Sequence, residues 1–196
     1  ADMPTALNAG IYAEIRAAIA KICAEFPGSY WRALDADRAY PDAFVAALTE
    51  AGYLGCLIPE AYGGAGLDLT AAAVILEEIH KNGANAAACH AQIYTMGTLL
   101  RHGSDAHKST YLPRIADGSL RLQAFGVTEP TSGTDTLALQ TTARRDGDSY
   151  VINGQKIWTS RAEHSDLMLL LARTTPRDEV TKRSDGLSVF LLDLKS

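Results

Sequence analysis

The sequence contains few cysteines, and they are not clustered. Cys23, Cys56 and Cys89 are the only three, they lie far apart, and no C-x-x-C pair occurs. This pattern argues against a zinc site and against a disulfide framework, and it favours a reducing, intracellular compartment. The histidines form no H-x-x-x-H or H-E-x-x-H arrangement, so we predict no metal site.

Further absences exclude other classes of protein. No run of five or more Lys and Arg residues occurs and the net charge is -5, so no nucleic-acid partner is expected. No stretch approaches the roughly 18 apolar residues that a membrane span needs, and the first residues do not resemble a signal peptide. The G-x-S-x-G, P-loop and G-x-G-x-x-G motifs are missing, which leaves a serine hydrolase, a P-loop site and a Rossmann site unsupported.

Hydrophobic periodicity predicts helices up to about residue 118. The first helix contains the apolar face of residues 11–22. The second begins at Pro41, which suits the first turn of a helix, and ends near Gly52. The apolar stripe of this second helix is Phe44, Val45, Leu48 and Ala51.

Three more helices are expected before the pattern changes. The third ends near Gly83, and its apolar stripe is Leu69, Ala72, Leu76 and Ile79. Asn85 and Ser104 suit the caps of the fourth and fifth helices, and Pro113 is expected to break the fifth.

After Gly118 the pattern is that of β-strands. Residues 121–127, 166–172 and 187–194 have the apolar character of strands, and residues 174–185 are polar enough to form a surface loop. Asp146-Gly147 and Asn153-Gly154 are hairpin signals.

We therefore predict an α+β fold with two domains. An all-α domain occupies residues 1–118, and an incomplete antiparallel β-barrel-like domain occupies residues 119–196. A sheet that stopped at Leu194 would leave an open edge, which proteins normally cover. A partner segment beyond Ser196 is therefore expected.

Two loops in the β half combine residue types suited to a ligand. The loop of residues 125–135 (FGVTEPTSGTD) is rich in hydroxyl groups and glycine, which suits a phosphate or the polar edge of a heterocycle; an ordinary surface turn is the alternative. Residues 153–160 (NGQKIWTS) place Trp158 beside two hydroxyl groups, which suits a planar ring with polar edges; a core tryptophan is the alternative. In the helical half, residues 57–67 (LIPEAYGGAGL) are best read as a tight connection between helices.

Together these three segments resemble the acyl-CoA dehydrogenase family. Residues 59–64 (PEAYGG) are similar to its PE-x-YGG connection, residues 128–135 (TEPTSGTD) to its TEP-x-x-GSD signature, and residues 153–160 to its NG-x-K-x-W-I-[TS] segment. The resemblance implies a helical domain, a middle β domain and a carboxy-terminal helical bundle, with FAD bound between the last two. It covers nearly the whole chain.

The resemblance also implies roles for individual residues. Thr128 would lie near the pyrimidine edge of the flavin, Trp158 would pack on the isoalloxazine, and Ser160 would face N5. Thr134 stands where the family has serine, near the FAD phosphates and the acyl-CoA. The full set implied to bind FAD is Phe125, Val127, Thr128, Thr134, Trp158, Thr159 and Ser160, and Thr134 is also implied to bind substrate.

The implied reaction is α,β-dehydrogenation of an acyl-CoA thioester, with hydride transfer to the flavin. The catalytic base, a glutamate of the terminal bundle, is expected beyond Ser196, so the chain alone should be almost inactive. The implied partners are acyl-CoA, an electron-transfer flavoprotein and further copies in a homo-oligomer, in the bacterial cytoplasm or the mitochondrial matrix. Two alternatives stay open: an acyl-CoA oxidase or flavin monooxygenase on the same scaffold, and a non-catalytic interaction module.

Overall fold

The chain folds into two units that divide between Leu120 and Arg121. A computed structural model describes residues 6–195. The first unit is helical and the second is built on a sheet, so the predicted α+β class is confirmed. None of the helices in the described part of the chain has both the length and the apolar character that crossing a membrane requires.

Six helices form the first unit. They are α1 (Ala6–Ala24), α2 (Gly28–Asp37), α3 (Asp42–Glu50), α4 (Leu69–Lys81), α5 (Ala87–His102) and α6 (Asp105–Ala116). Their buried apolar side chains form a core to which α1, α3, α4 and α5 all contribute. Ile19, Phe44, Leu48, Ile75 and Ile79 are almost wholly buried in it, and burying side chains of this size is the main favourable contribution to folding.

Charged groups join α1 to α4 at the edge of this core. The carboxylate of Glu78 is buried and accepts hydrogen bonds from Arg16 Nη1 at 3.1 Å and from Asn82 Nδ2 at 3.0 Å. Burial alone would raise the pKa of Glu78, but the hydrogen bonds from Arg16 and Asn82 outweigh it and lower the pKa. Asp68 caps α4 by accepting from the backbone N–H of Ala71 at 2.8 Å.

The structure corrects four details of the helix predictions. Pro41 is the cap before α3 and not its first residue. Ala51 and Leu69 are exposed and not part of an apolar stripe, since α3 ends at Glu50 and Leu69 opens α4 at its solvent side. Pro113 does not break α6; it lies in the last turn, where the missing N–H removes only one helical hydrogen bond.

The connection between α3 and α4 is tight, as predicted from its glycines. The backbone N–H of Gly66 donates to the carbonyl oxygen of Ile58 at 2.8 Å, and that of Leu67 donates to Cys56 at 2.8 Å. Gly64 passes so close to Ile58 that a Cβ placed on it would lie 2.1 Å from the Ile58 carbonyl oxygen. Only glycine fits at this position without a shift of the backbone.

Five strands form the sheet of the second unit. They are β1 (Leu122–Gly126), β2 (Thr142–Asp146), β3 (Ser149–Asn153), β4 (Leu167–Arg173) and β5 (Leu187–Asp193). The central strand β4 pairs with β1 in parallel and with β5 antiparallel along its whole length, and at Arg173 it also meets Thr142 of β2. The sheet is therefore mixed and not closed, and its parallel pairings were not part of the sequence prediction.

One of the two predicted hairpins is present. The turn at Asp146-Gly147 joins β2 to β3, whose residues pair from Thr142 with Asn153 to Asp146 with Ser149. The prediction of a hairpin at Asn153-Gly154 is wrong, because β3 ends there and a long loop leads to β4. Gly154 serves a close approach instead: a Cβ on it would lie 2.3 Å from Thr141 Oγ1.

Two glycine-to-alanine substitutions in the helical unit test whether Gly64 is required by close packing. Gly64→Ala is expected to lower the free energy of unfolding by about 1–3 kcal/mol, because the new methyl group collides with Ile58. Gly97→Ala in α5 is the matched control: a Cβ there has nothing within 4 Å. It should raise the free energy of unfolding by about 0.5–1 kcal/mol. Urea titration of both variants measures the difference, and equal effects of the same sign would contradict the described connection.

Candidate functional site

Two loops of the second unit lie against each other beside the end of β1. The first loop covers residues 127–141 and connects β1 to β2, and the second covers residues 154–166 and connects β3 to β4. The backbone N–H of Ile157 donates to the carbonyl oxygen of Thr128 at 2.8 Å. The structure therefore brings together two segments that the sequence analysis selected separately as candidates for ligand binding.

A buried ion pair reinforces this contact. Lys156 Nζ lies 2.8 Å from Glu129 Oε1 and also donates to the carbonyl oxygen of Val127 at 3.0 Å. The side chains are only 8% and 3% exposed, respectively. The Glu129 carboxylate also accepts from the backbone N–H of Gln140 at 2.6 Å and of Thr141 at 2.9 Å. Both charges are thus hydrogen-bonded as well as paired, which a buried ion pair requires if it is to be tolerated.

These donors decide the protonation state of Glu129. Burial by itself would raise the pKa of the carboxyl group, but the hydrogen bonds from Lys156 and from the backbone N–H groups of Gln140 and Thr141 outweigh it. The pKa falls to about 2. Glu129 is therefore ionised throughout the neutral range and is not available as a proton acceptor.

Trp158 is the most unusual residue of the second loop. Its side chain is 85% exposed, and its backbone has a φ of 60°, in the left-handed region that bulky residues rarely adopt. Such strain costs on the order of 1–3 kcal/mol and is often found where a side chain serves a ligand. The alternative prediction of a core tryptophan is wrong.

The other predicted site residues occupy the same two loops and the strand before them. Phe125 lies on β1, and Val127, Thr128 and Thr159 are half-buried near the contact between the loops. Ser160 is exposed two residues after Trp158. Thr134 lies further along the first loop and takes no part in the hydrogen bonds described between the two loops.

A surface recess of about 400 Å³ adjoins the ion pair. Its wall is Glu129, Pro130, Thr131, Gln140, Thr141, Thr142, Asn153, Gly154 and Gln155. Sequence reasoning did not pair Glu129 with Lys156, although both are charged residues inside otherwise apolar or glycine-rich motifs.

Among residues 6–195 no group of His, Cys, Asp or Glu side chains is arranged to hold a metal ion.

Comparison with known proteins gives the same family for both units as the three sequence motifs do. The chain matches the family model "Acyl-CoA dehydrogenase, N-terminal domain" over residues 12–119 and the model "Acyl-CoA dehydrogenase, middle domain" over residues 124–196. It is 37% identical over 161 residues to cyclohex-1-ene-1-carbonyl-CoA dehydrogenase of Syntrophus aciditrophicus, covering 82% of this chain and 38% of that protein.

Solved structures resemble the chain closely. The structure of a glutaryl-coenzyme A dehydrogenase glutaryl-CoA complex superposes with a TM-score of 0.85 at 28% identity, over 98% of this chain and 48% of that one. The prolyl acyl carrier protein oxidase AnaB superposes with a TM-score of 0.80 at 26% identity, over 93% and 48% respectively. The chain spans less than half the length of these relatives.

The helical unit and the open mixed sheet correspond to the amino-terminal and middle domains of a family of flavoproteins. More specifically, the chain belongs to the acyl-CoA dehydrogenase family. Members of this family use FAD as their cofactor.

Removing the charge of Glu129 tests the role of the buried pair. At neutral pH, Glu129→Gln should lower the free energy of unfolding by about 3–5 kcal/mol, because Lys156 is left buried without a counter-charge. Glu163→Gln, an exposed position in the same unit, is the control and should change it by less than about 0.5 kcal/mol.

The acid dependence of stability gives an independent check. The pKa of Glu129 is depressed in the folded state, so its contribution is complete above the unfolded-state pKa of about 4.3. It is lost as the pH falls through the folded-state value of about 2. Wild type should therefore lose about 2 kcal/mol more than Glu129→Gln between pH 4.3 and 2. Urea titration at each pH measures the free energy of unfolding of both proteins. If the two free energies fell in parallel with pH, the depressed pKa of Glu129 would be refuted.

Proposed function

We propose that this chain is part of an FAD-dependent acyl-CoA dehydrogenase that introduces an α,β double bond into an acyl-CoA thioester. The observation that carries the proposal is the exposed indole of Trp158, fixed on a strained backbone next to the Thr128 loop. An apolar face of this size costs free energy in water, and a planar ring stacked on it would remove that cost.

The residues of the two loops fit FAD in chemical terms. Trp158 offers a flat apolar surface, and the hydroxyl groups of Thr128 and Ser160 can donate to and accept from the polar edges of a heterocycle. Phe125, Val127 and Thr159 complete the proposed flavin wall. Thr134, exposed on the first loop, is proposed to contact the phosphates of the cofactor and the substrate.

The proposed chemistry divides between the cofactor and the protein. FAD, when bound, supplies the acceptor at N5 for the hydride that leaves the substrate β carbon. The protein must orient the thioester, exclude water, and supply a base for the α proton. Glu129 is unsuited to that role because its buried, low-pKa carboxylate already accepts three hydrogen bonds, one of them from the paired Lys156.

We propose that the base lies on a segment beyond Ser196. Loss of a general base typically lowers a rate about 10²–10⁴-fold, so the 196 residues alone are expected to be nearly inactive. The proposed setting is a homo-oligomeric bacterial enzyme of the cytoplasm, in line with the bacterial relative.

The electron acceptor separates two forms of the proposal. An electron-transfer flavoprotein is the acceptor in the dehydrogenase form, and molecular oxygen is the acceptor in an oxidase form. The likeness to the oxidase AnaB supports keeping the second form. Stopped-flow oxidation of the substrate-reduced protein decides between them: slow reaction with oxygen supports the dehydrogenase, and fast reaction overturns it.

Tryptophan fluorescence tests the flavin surface, because the chain has only two tryptophans. Trp158 is exposed, whereas Trp31 is half-buried in the helical unit and donates to the Phe26 carbonyl oxygen at 3.1 Å. In the full-length protein, FAD should quench a larger share of the emission in Trp31→Phe, which keeps Trp158, than in Trp158→Phe, which keeps Trp31, while any tryptophan outside these residues contributes equally to both.

Binding strength should follow the same pattern. Trp158→Leu is expected to weaken FAD binding about fivefold, since ring stacking contributes on the order of 1 kcal/mol beyond the apolar area that it buries. A protein that took up no FAD, or equal quenching in Trp31→Phe and Trp158→Phe, would overturn the proposed site. Anaerobic addition of saturated acyl-CoAs of different chain length, followed by loss of the flavin absorption band, then identifies the substrate range.

A further inference from the structure

A second recess of the sheet unit is rich in arginine. It has a volume of about 450 Å³ and lies between the short helical turn Thr136–Ala138 and the loop that connects β4 to β5. Its wall is Leu137, Ala138, Leu139, Gln140, Arg173, Arg177 and Arg183. Three guanidinium groups thus line a recess whose wall contains no acidic residue.

Arg173 is the buried member of this group. It is 8% exposed, and its guanidinium donates to the backbone carbonyl oxygens of Leu137 at 3.2 Å and Asp185 at 3.3 Å. Within residues 6–195, no carboxylate lies within salt-bridge distance of it. Neutral carbonyl groups compensate a buried cation only partly, so an anion in the recess would stabilise this side chain.

The other two arginines lie at the mouth of the recess. Arg177 is exposed at the start of a short helical turn, Arg177–Glu179. Arg183 is about half exposed and forms a surface ion pair with Asp135, Nη2 to Oδ2 at 2.5 Å. Exposed pairs of this kind contribute little to stability. Arg183 can therefore turn towards an incoming anion at low cost, and Arg177 can do the same.

We propose that this recess binds a phosphate group of a nucleotide ligand. Guanidinium groups bind phosphate oxygens through two parallel hydrogen bonds and keep their charge at all relevant pH values. The inference rests on the proposed function, which supplies two such ligands: coenzyme A, which ends in a 3′-phosphate monoester, and FAD, which contains only an internal diphosphate. A phosphate monoester carries up to two negative charges near neutral pH and suits three arginines best.

The experiment uses the full-length, FAD-loaded protein and titrates it with coenzyme A and with 3′-dephospho-coenzyme A. Wild type should bind coenzyme A roughly tenfold more tightly than 3′-dephospho-coenzyme A. This coenzyme A preference should weaken as the salt concentration is raised. In the double variant Arg177→Gln/Arg183→Gln the preference should fall to about one. The control is Arg144→Gln/Arg145→Gln, which removes the same charge from two exposed residues of β2 outside the recess and should keep the wild-type preference.

A parallel titration of the apoprotein with FAD identifies the source of the phosphate. If the double variant weakens FAD binding several-fold more than the control does and leaves the coenzyme A preference unchanged, the recess binds the FAD diphosphate and the phosphate site stands. If both ligands bind the double variant and the control equally, or if wild type shows no preference and binds FAD as the variant does, the phosphate site is overturned.

Failure of the proposed function has a different signature. A protein that kept the coenzyme A preference but did not lose its flavin absorption with any acyl-CoA would retain the recess and lose the dehydrogenase assignment. The converse result would keep the dehydrogenase assignment and overturn the phosphate site. In that case acyl-CoA reduces the flavin, but all variants bind coenzyme A and its dephospho form equally and their affinity for FAD is unchanged.

Discussion

The carboxylate of Glu129 is the point at which three segments of the sheet unit meet. It accepts hydrogen bonds from Lys156 in one loop and from the backbone of Gln140 and Thr141 just before β2, while Lys156 also donates to Val127. Desolvating two charges costs several kcal/mol, and only full pairing offsets that cost. The arrangement is therefore all-or-none: if one donor is displaced, the others are left beside a buried charge.

The position of the candidate flavin surface depends on this pair. Lys156 is followed by Ile157, whose N–H donates to Thr128 at 2.8 Å, and then by Trp158 at a φ of 60°. A strained backbone persists only where its surroundings determine it, and the contacts of Lys156 and Ile157 fix the backbone directly before Trp158. The exposed indole and the Thr128 hydroxyl are thus placed relative to each other by a backbone hydrogen bond between Ile157 and Thr128 and by the neighbouring ion pair.

Local patterns predicted the elements of the fold but not the contacts that join them. The helices other than α2, and the Asp146-Gly147 hairpin, follow from periodicity and turn chemistry, which act over a few residues. The Glu129–Lys156 pair spans 27 residues, and no local pattern specifies it. The wrong predictions for Leu69 and for Asn153-Gly154 have the same cause. Distant parts of the chain decide whether Leu69 is buried. They also decide whether Gly154 forms a hairpin turn or packs closely against Thr141. The roles of the individual site residues stay predictions.

The first loop is restrained at two places by charged groups of different character. Glu129 holds its two ends together through a buried pair whose hydrogen bonds reach Gln140 and Thr141. In the middle of the loop, Asp135 forms a half-exposed pair with Arg183, and Leu137 accepts from the buried Arg173. A complete buried pair has little capacity for a further partner, whereas an exposed pair exchanges partners at low cost. Anionic ligand groups should therefore be recognised in the middle of the loop, where the arginines lie, and the Glu129 pair is left to hold the backbone that carries the candidate flavin surface.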